Sequence, residues 1–364
     1  QYQKIKDNLN NDILETLDKT DFILGQKVYD LEKKLADYVG VKHCVTCANG
    51  TDALLIPLMA KNIGNGDAVF TTNFSYFATT EVISLVGATP IFIDINEKTF
   101  NINPDLLEIQ IKKTIDEGKL KPKAIIAVDL FGQIADYNSI ENIAKKYNLF
   151  LIEDAAQSFG ATYNNKKSCS FGDVAATSFF PAKPLGCYGD GGAIFTDNLE
   201  LANIFKSIRM HGQGKDKYDN IRVGLNSRLD TIQAAVLLNK LEIFDQELDL
   251  RKKVTDFYSK KLSDYLKVPF IHNSNKSAWA QYSLLAGSEN ERDLLIKHLT
   301  KNNIPTAIYY KKIFSDLELY KGKKDSNFSV SKKISKTIFS IPMYPYLNKS
   351  DLDQIINYII KFYK

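Results

Sequence analysis

The chain has 364 residues, of which 44% are hydrophobic and 25% are charged, a composition typical of folded globular proteins. This composition excludes disordered, collagen-like and coiled-coil architectures as its main organisation, and its length predicts about two domains. The formal net charge of +4, from 47 basic and 43 acidic residues, is too small to indicate nucleic-acid binding.

Helical patterns alternate with short apolar strands between Val28 and Lys240, after an N-terminal segment, residues 1–20, that we expect to form a helix. Because strands separated by helices of this length are typical of βαβ units, we predict a largely parallel sheet. The predicted elements are a helix over Asp30–Val39, strand His43–Cys47, a helix from Gly50 through Leu58, strand Ala68–Thr71, helix Ala78–Leu85, strand Pro90–Asp94, strand Ala124–Val128, helix Ser139–Tyr147 and strand Leu149–Ile152.

The last third of the chain has a different pattern. A long helical pattern runs from Asp230 towards Lys252, and it is followed by strand Trp279–Leu285, helix Glu291–Lys301 and a closing amphipathic helix marked by Ile355, Ile359 and Phe362. We therefore predict a large domain over residues 21–240 and a smaller α+β domain over residues 241–364. The charged segment Lys321–Asp325 is predicted to be a solvated loop.

The sequence also bears on the compartment of the protein. We find no run of the roughly 18 apolar residues that a membrane span needs, so no membrane partner is expected. The first residues, Gln-Tyr-Gln-Lys-Ile-Lys-Asp, lack the apolar core of a secretion signal, which predicts a cytoplasmic protein.

Cys44 and Cys47 have the spacing of half a zinc site or of a redox pair. Neither Cys169 nor Cys187 belongs to a second pair of this kind, and Cys44 and Cys47 alternate within an apolar strand. We interpret the cysteines as small buried side chains in a reducing compartment and predict no metal site.

Ligands bind at the carboxyl ends of parallel strands, and strand Leu149–Ile152 leads into Glu153 and Asp154. A carboxylate at this place could bind a ribose, a metal or a ring nitrogen, or it could cap the following helix.

Lys183 is followed at once by Pro184, which prevents a continuing helix, and then by glycines at positions 186, 189, 191 and 192. A lysine fixed in such a turn is a poor candidate for an ordinary solvated charge. Desolvation lowers the pKa of a lysine, and the neutral amine can form a Schiff base with a carbonyl.

Three segments in order, Asp154-Ala-Ala-Gln157, Ser178-Phe-Phe-x-x-Lys183 and Gly189-Asp-Gly-Gly192, resemble the nucleotide-sugar aminotransferases of the DegT/StrS type. The resemblance extends from Phe22-Ile-Leu-Gly25 to Ser340-Ile-Pro-Met-Tyr-Pro345. It implies pyridoxal 5'-phosphate (PLP) as the cofactor. It also implies fold type I of the PLP-dependent transferases, an α/β fold in which a large domain with a mostly parallel central sheet flanked by helices is joined to a smaller α+β C-terminal domain.

The resemblance also assigns roles to the catalytic residues. Lys183 would hold PLP covalently and move protons between Cα of the amino acid and C4′ of the cofactor. Asp154 would pair with the pyridine nitrogen and keep it protonated, so that the ring can act as an electron sink. Gln157 would bond the 3-hydroxyl of the ring.

The remaining cofactor contacts implied by the resemblance are with the phosphate and the ring face. Gly50 and Thr51 would offer backbone amides at a helix start, and Ser178 would add a hydroxyl donor. Asn226 would complete the phosphate site from the partner subunit, which implies a homodimer with shared active sites. Tyr76 would stack on the ring, with Phe74 or Phe77 as alternatives.

Arg228 would face the sugar or the carboxylate of L-glutamate, the expected amino donor, although it could instead pair with Asp230 at a helix start. Tyr309 and Tyr310 are further predicted substrate contacts. The Tyr-Pro-x-Pro-Leu-His loop of the family is altered here to Tyr310-Lys-Lys-Ile-Phe-Ser315, and Asp129 replaces a histidine that is common before the Leu-Phe-Gly turn.

Asn226-Ser-Arg-Leu, where 4-aminotransferases commonly have Asn-Tyr-Arg-Met, looks more like enzymes acting on 3-keto sugars. The chain is especially similar to aminotransferases that make UDP-2-acetamido-3-amino-2,3-dideoxy-glucuronate. A dTDP-3-keto-6-deoxyhexose or a 4-keto sugar is the alternative substrate. A non-catalytic regulator that binds sugar nucleotide is the alternative from another functional class, and the presence of Lys183, Asp154 and Ser178 favours the enzyme.

Overall fold

The computed structural model describes residues 1–216, 218–321 and 328–364, so residues 322–325 of the predicted loop Lys321–Asp325 lie outside the described part. The α-helices are α1 (Tyr2–Asp18), α2 (Gln26–Val39), α3 (Gly50–Ala60), α4 (Ala78–Leu85), α5 (Pro104–Glu117), α6 (Tyr137–Lys146), α7 (Leu199–Ile208), α8 (Thr231–Leu241), α9 (Phe244–Leu262), α10 (Glu289–Lys301), α11 (Ser329–Thr337) and α12 (Lys349–Tyr363). The strands are β1 (His43–Cys47), β2 (Asp67–Thr72), β3 (Thr89–Ile93), β4 (Lys121–Val128), β5 (Phe150–Asp154), β6 (Thr162–Tyr163), β7 (Lys166–Lys167), β8 (Val174–Ser178), β9 (Gly192–Thr196), β10 (Asn275–Lys276), β11 (Tyr282–Leu285) and β12 (Ile338–Ile341).

The described residues form a central seven-stranded sheet with the order β1-β9-β8-β5-β4-β2-β3. The neighbours β8, β5, β4, β2 and β3 pair in parallel, whereas β9 runs antiparallel to both β8 and β1. Strands β5, β8 and β9 are buried along their whole length, as expected for a sheet covered on both faces. The predicted α/β fold with a mostly parallel central sheet is confirmed.

Helices cover both faces of this sheet with apolar side chains. On one face, α2 contributes Val28, Leu31 and Leu35, which are fully buried with residues of α8. Helix α1 packs on the same layer through Ile5 and Leu9. On another face, α3 and α7 bury their apolar side chains against β1, β8 and β9. Burial of this kind, at about 25 cal/mol per Å² of apolar surface, is the main force that holds the layers together.

The C-terminal part of the chain has an apolar core of its own, in which α9, α10 and α12 pack around the antiparallel pair β11–β12. Tyr258, Tyr282 and Phe339 are fully buried there. A further cluster joins this part to the central sheet, because Phe74 and Phe92 pack with Phe314. Among the described residues, no helix has the length and apolar character needed to cross a bilayer.

Two predicted elements differ in the structure, and strands β8 and β9 of the central sheet are absent from the sequence prediction. The long helix expected from Asp230 is broken between α8 and α9 at Ile243, whose φ of −109° and ψ of 2° are not helical. The break turns Phe244 onto Phe159, with 5.6 Å between the ring centroids. The strand expected from Trp279 begins only at Tyr282, since Trp279 has a positive φ of 51°.

Candidate active site

The predicted site residues gather at the carboxyl-terminal edge of the central sheet. Strand β5 ends at Asp154 and β8 ends at Ser178, while Asn73 and Asp129 directly follow β2 and β4. Parallel strands end together at one edge, so residues distant in sequence become neighbours there.

Asp154 is buried, and hydrogen bonds hold both of its carboxyl oxygens. Thr79 donates its hydroxyl to Oδ2 at 2.8 Å, and the backbone N–H of Ala156 donates to Oδ1 at 3.2 Å. Burial raises the pKa of Asp154, while these two hydrogen bonds and the nearby Lys183 oppose that rise. Asp154 is thus a fixed carboxyl group that can pair with a cationic ring nitrogen.

Lys183 lies in a tight turn that follows β8. Its backbone N–H donates to the carbonyl of Phe180 at 2.8 Å, and the N–H of Phe179 donates to the carbonyl of Gly191 at 2.7 Å. Gly186 is required for this turn, because a Cβ there would lie 2.7 Å from the carbonyl oxygens of both Phe180 and Pro181. Burial lowers the pKa of Lys183, and the charge of Asp154 partly offsets that effect. A lysine of this kind is a ready nucleophile towards an aldehyde.

The start of α3 forms a cradle with Ser178. The side chain of Asn49 accepts the N–H of Asp52 at 2.8 Å, and its carbonyl accepts the N–H of Ala53 at 3.1 Å. Gly50 approaches Ser178 so closely that a Cβ at Gly50 would lie 2.6 Å from Cβ of Ser178. The free backbone amides at a helix start and the hydroxyl of Ser178 are therefore brought together, a combination that suits a phosphate group.

Gln157 is buried, and hydrogen bonds fix both the oxygen and the nitrogen of its side-chain amide. The N–H of Phe131 donates to Oε1 at 2.8 Å, so the amide nitrogen is the group left to donate, and it does so to the hydroxyl of Tyr310 at 3.3 Å. Burial raises the pKa of Tyr310, which packs edge-on against Phe74 with ring centroids 5.9 Å apart. Tyr309 lies beside it, with 5.8 Å between the ring centroids.

The altered loop Tyr310–Ser315 is anchored to the end of β2 although it lacks the prolines of the family pattern. The N–H of Phe314 donates to the carbonyl of Asn73 at 3.0 Å. The N–H of Ser315 donates to Oδ1 of Asn73 at 2.9 Å, and Nδ2 of Asn73 donates to the hydroxyl of Ser315 at 3.0 Å. The end of this loop is therefore fixed to β2, while Tyr310 at its start contacts Gln157.

The three aromatic candidates for ring stacking differ in exposure. Phe74 is fully buried in the cluster with Phe314, and Phe77 packs against that cluster. Tyr76 is 60% exposed, and its hydroxyl is close enough to Tyr310 to raise the pKa of Tyr310 electrostatically. Of the three, Tyr76 is the most exposed, which favours it as the side chain that meets a bound ring.

Asn226 and Arg228 both lie against Met210. Asn226 is exposed and forms an antiparallel bridge with Met210, and Nη1 of Arg228 lies 3.9 Å from Sδ of Met210. Among the described residues, Arg228 forms no ion pair with Asp230. The hydroxyl of Ser227 between them accepts the N–H of Ala48 at 3.2 Å, so this segment adjoins the start of the cradle.

The cysteines are buried, and the thiol of Cys47 donates to the carbonyl of Asn49 at the start of the cradle, 3.3 Å away. Cys44 and Cys47 are buried in β1, where burial raises the pKa of both thiols, and Cys169 and Cys187 are also buried free thiols. Within the described ranges, no group of histidine, cysteine and acidic side chains could hold a metal ion.

Sequence reasoning missed two residues that position the site. Thr79, which anchors Asp154, lies three residues after Tyr76 and is the second residue of α4. Phe131 orients Gln157 through the backbone N–H of Phe131. The identity of the Phe131 side chain does not indicate this role in the sequence. Thr79 could have been found as a polar residue placed on the sheet-facing side of a short helix.

These residues fit PLP, judged by the chemistry of the groups that they present. The amides of Gly50 and Thr51 with the hydroxyl of Ser178 suit the phosphate, and the carboxyl of Asp154 suits the pyridine nitrogen. The amide of Gln157 is a donor for the ring hydroxyl, and the amine of Lys183 is the group that can bind the aldehyde.

Comparison with known proteins decides the family. Residues 3–360 match the sequence profile of the DegT/DnrJ/EryC1/StrS aminotransferase family. The chain belongs to this family. It is therefore a PLP-dependent sugar aminotransferase, and the interpretation as an enzyme is confirmed over that of a non-catalytic regulator.

Individual relatives match over nearly their whole length. The chain is 46% identical over 353 residues to the UDP-2-acetamido-2-deoxy-3-oxo-D-glucuronate aminotransferase of Pseudomonas aeruginosa, covering 97% of this chain and 95% of that protein. A crystal structure of a DegT DnrJ EryC1 StrS aminotransferase from Brucella abortus is 48% identical, with a TM-score of 0.96 over 100% of this chain and 97% of that one. S. venezuelae DesV, solved in complex with a ketimine intermediate, is 29% identical with a TM-score of 0.92 over 99% of this chain and 95% of that one.

Proposed function

We propose that this aminotransferase transfers the amino group of L-glutamate to C3 of a nucleotide-linked 3-keto sugar of the UDP-2-acetamido-2-deoxy-3-oxo-glucuronate type. The observation that supports this substrate most strongly is the 46% identity to the Pseudomonas aeruginosa enzyme across 97% of the chain. The segment Asn226-Ser-Arg-Leu, which resembles that of 3-keto enzymes, supports the same ring position.

Lys183 and Asp154 carry the chemistry in this proposal. Bound PLP supplies an electron sink for the pair of electrons left on a carbon that loses its proton. The amine of Lys183 would hold the cofactor through its aldehyde, and the same amine would take the proton from Cα of the amino acid. The fixed carboxylate of Asp154 holds a proton on the pyridine nitrogen, which its two hydrogen bonds from Thr79 and Ala156 support.

The remaining cofactor contacts hold and orient the ring. The phosphate binds the backbone amides of Gly50 and Thr51 and the hydroxyl of Ser178, since an anion is stabilised at a helix N-terminus. Gln157 would donate its side-chain amide to the ring hydroxyl, and Tyr76 would stack on the ring.

The substrate and partner contacts complete the proposal. We place Arg228 on the carboxylate of glutamate or of the sugar, because a guanidinium binds a carboxylate through two parallel hydrogen bonds. Tyr309 and Tyr310 line the sugar side. Asn226 reaches the phosphate of the partner subunit, so the protein acts as a homodimer with two shared sites, and its exposure within one chain agrees with that role. Four cysteines buried as free thiols favour a reducing compartment, the cytoplasm.

Borohydride reduction followed by peptide mapping tests the central residue of this proposal. Reduction of the wild-type protein loaded with PLP is expected to leave the cofactor bound irreversibly to Lys183. Lys240 is a second buried lysine with a lowered pKa, so Lys240→Met is the matched control and is expected to keep the label. A label on any other lysine, or a label that persists in Lys183→Ala, would contradict the assignment.

A further inference from the structure

Asp129 and Glu153 are two carboxyl groups, both fully buried, that lie behind the candidate active site. Asp129 follows β4, and its backbone N–H donates to the carbonyl of Asp154 at 3.1 Å. Glu153 precedes Asp154 on β5, and alternation along a strand directs its side chain to the opposite face of the sheet. Neither side chain has a role in the proposed catalysis.

Two serines connect the carboxyl groups in a continuous chain of hydrogen bonds. Oδ2 of Asp129 lies 2.8 Å from Oγ of Ser158, which lies 2.6 Å from Oγ of Ser168, which in turn lies 3.1 Å from Oε1 of Glu153. A serine hydroxyl donates one proton at a time, so both serines must point the same way along this chain. The carboxyl group at one end must then donate and the other must accept.

The other contacts decide which end donates. Glu153 accepts two backbone N–H groups, from Cys169 to Oε1 at 2.8 Å and from Phe171 to Oε2 at 2.9 Å. Asp129 accepts one backbone N–H, from Ala135 to Oδ1 at 2.9 Å. Hydrogen-bond donors stabilise the charged form of a carboxyl group, so Glu153 is the better anion.

Among the described residues, Asp129 and Glu153 have no cationic partner. Within the described ranges, no lysine, arginine or histidine forms an ion pair with Asp129 or Glu153. The titratable groups that face them are Tyr137 of α6 and Cys169, neither of which is a cation. Burial raises the pKa of Glu153 to about 7, and burial and the charge of Glu153 raise the pKa of Asp129 well above its usual range. Two adjacent carboxylates cannot both remain ionised in such a place.

We propose that Asp129 and Glu153 share one proton, which resides on Asp129, and that the resulting chain Asp129–Ser158–Ser168–Glu153 positions Gln157. Asp129 donates to Ser158, Ser158 to Ser168, and Ser168 to the Glu153 carboxylate. The pair carries a single negative charge.

The chain of hydrogen bonds from Asp129 to Glu153 acts on the orientation of Gln157. Ser158 follows it directly, and Asp129 precedes the turn in which the N–H of Phe131 holds Oε1 of Gln157 at 2.8 Å. The chain of hydrogen bonds therefore joins the two backbone segments that orient the Gln157 amide. Asp129 is a positioning residue for the cofactor contact of Gln157, an inference that rests on the proposed role of Gln157.

Infrared spectroscopy of the cofactor-free protein tests the shared proton without using the proposed function. The wild type is expected to show the C=O stretch of a protonated carboxylic acid at neutral pH. That band should disappear in Asp129→Asn and remain in Asp154→Asn, the variant that removes the other buried carboxyl group with a raised pKa at this edge of the sheet. A wild-type spectrum with no such band, or a band that survives in Asp129→Asn, would overturn the assignment of the proton.

Cofactor affinity tests the positioning role. Asn presents an amide donor to Ser158 and a carbonyl to Ala135, as protonated Asp129 does, so Asp129→Asn is expected to bind PLP within about twofold of the wild type. Asp129→Leu and Ser168→Ala break the chain and should weaken PLP binding by roughly tenfold. Equal losses of PLP affinity in Asp129→Asn and Asp129→Leu would show that a neutral hydrogen-bond donor at position 129 does not support PLP binding. Tight PLP binding in Ser168→Ala would overturn the positioning role while leaving the proposed function intact.

Discussion

The hydroxyl of Thr79 donates a hydrogen bond of 2.8 Å to Oδ2 of Asp154 and is itself within 3.3 Å of the hydroxyl of Ser75. Thr79 opens α4 and Asp154 closes β5, so a helix that follows one strand fixes the carboxyl group at the end of another. This relationship places the carboxyl of Asp154 before any cofactor binds. Such preorganisation lowers the cost of orienting charged groups during the reaction.

Replacing Thr79 with Val should reduce the rate of the half-reaction with glutamate. A hydrogen bond to a charged group contributes about 1.5–3 kcal/mol, which corresponds to a loss of roughly 10- to 150-fold. Single-turnover kinetics of the PLP-loaded protein measure this effect. Thr79→Ser keeps the hydroxyl and should retain most of the rate; a similar loss in both variants would show that the methyl packing of Thr79 matters instead.

Asp154→Asn should abolish the half-reaction with glutamate and yet stabilise the cofactor-free protein at neutral pH. Burial raises the pKa of Asp154 in the folded state. The stability that the protonated carboxyl contributes is therefore lost as the pH rises from the pKa of the unfolded chain through the pKa of the folded protein. The stability difference between Asp154→Asn and the wild type should therefore grow in favour of the variant between pH 4 and pH 8. Urea unfolding at both pH values measures it, and a constant difference would contradict the raised pKa.

Lys240 gives a pH effect of the opposite sign. It donates to the carbonyl of Gly186 in the turn after Lys183, and burial lowers its pKa from 10.5 to about 8. The folded protein releases this proton at a lower pH than the unfolded chain, so the wild type should gain stability relative to Lys240→Met as the pH rises from 8 to 10.5. Urea midpoints of both proteins across this range measure the gain. Parallel curves would show that Lys240 is solvated.

Mixing two variants tests the shared active site. Lys183→Ala and Asn226→Ala should each be inactive alone at limiting PLP. Random exchange of subunits should restore about a quarter of the wild-type activity, because half of the dimers are mixed and each has one intact site. Native mass spectrometry confirms the exchange. Mixed dimers without activity would mean that Asn226 serves the site of its own subunit.

The sequence predicts β1 to β5 because these strands are short apolar runs, but it does not predict β8 and β9, which lie on either side of the turn that carries Lys183. Lys183, Asp154 and Ser178 are identified as candidates from the sequence, since each lies in a segment that resembles the family. Other features depend on contacts between distant segments. The approach of Gly50 to Ser178 and the link from Asp129 through Ser168 join residues far apart in the chain, and no local pattern marks them. The break at Ile243 is set by the packing of Phe244 on Phe159, which overrides a continuous helical pattern.

The proposed substrate is tested most directly by product analysis with ¹⁵N-labelled glutamate. The PLP-loaded protein is incubated with UDP-2-acetamido-2-deoxy-3-oxo-glucuronate and, in parallel, with UDP- and dTDP-linked 3-keto and 4-keto hexoses that lack the carboxylate. We expect ¹⁵N at C3 of the glucuronate by NMR, with the other sugars converted more slowly. Faster transfer to C4 of a 4-keto sugar, or to a dTDP-linked hexose, would contradict the account.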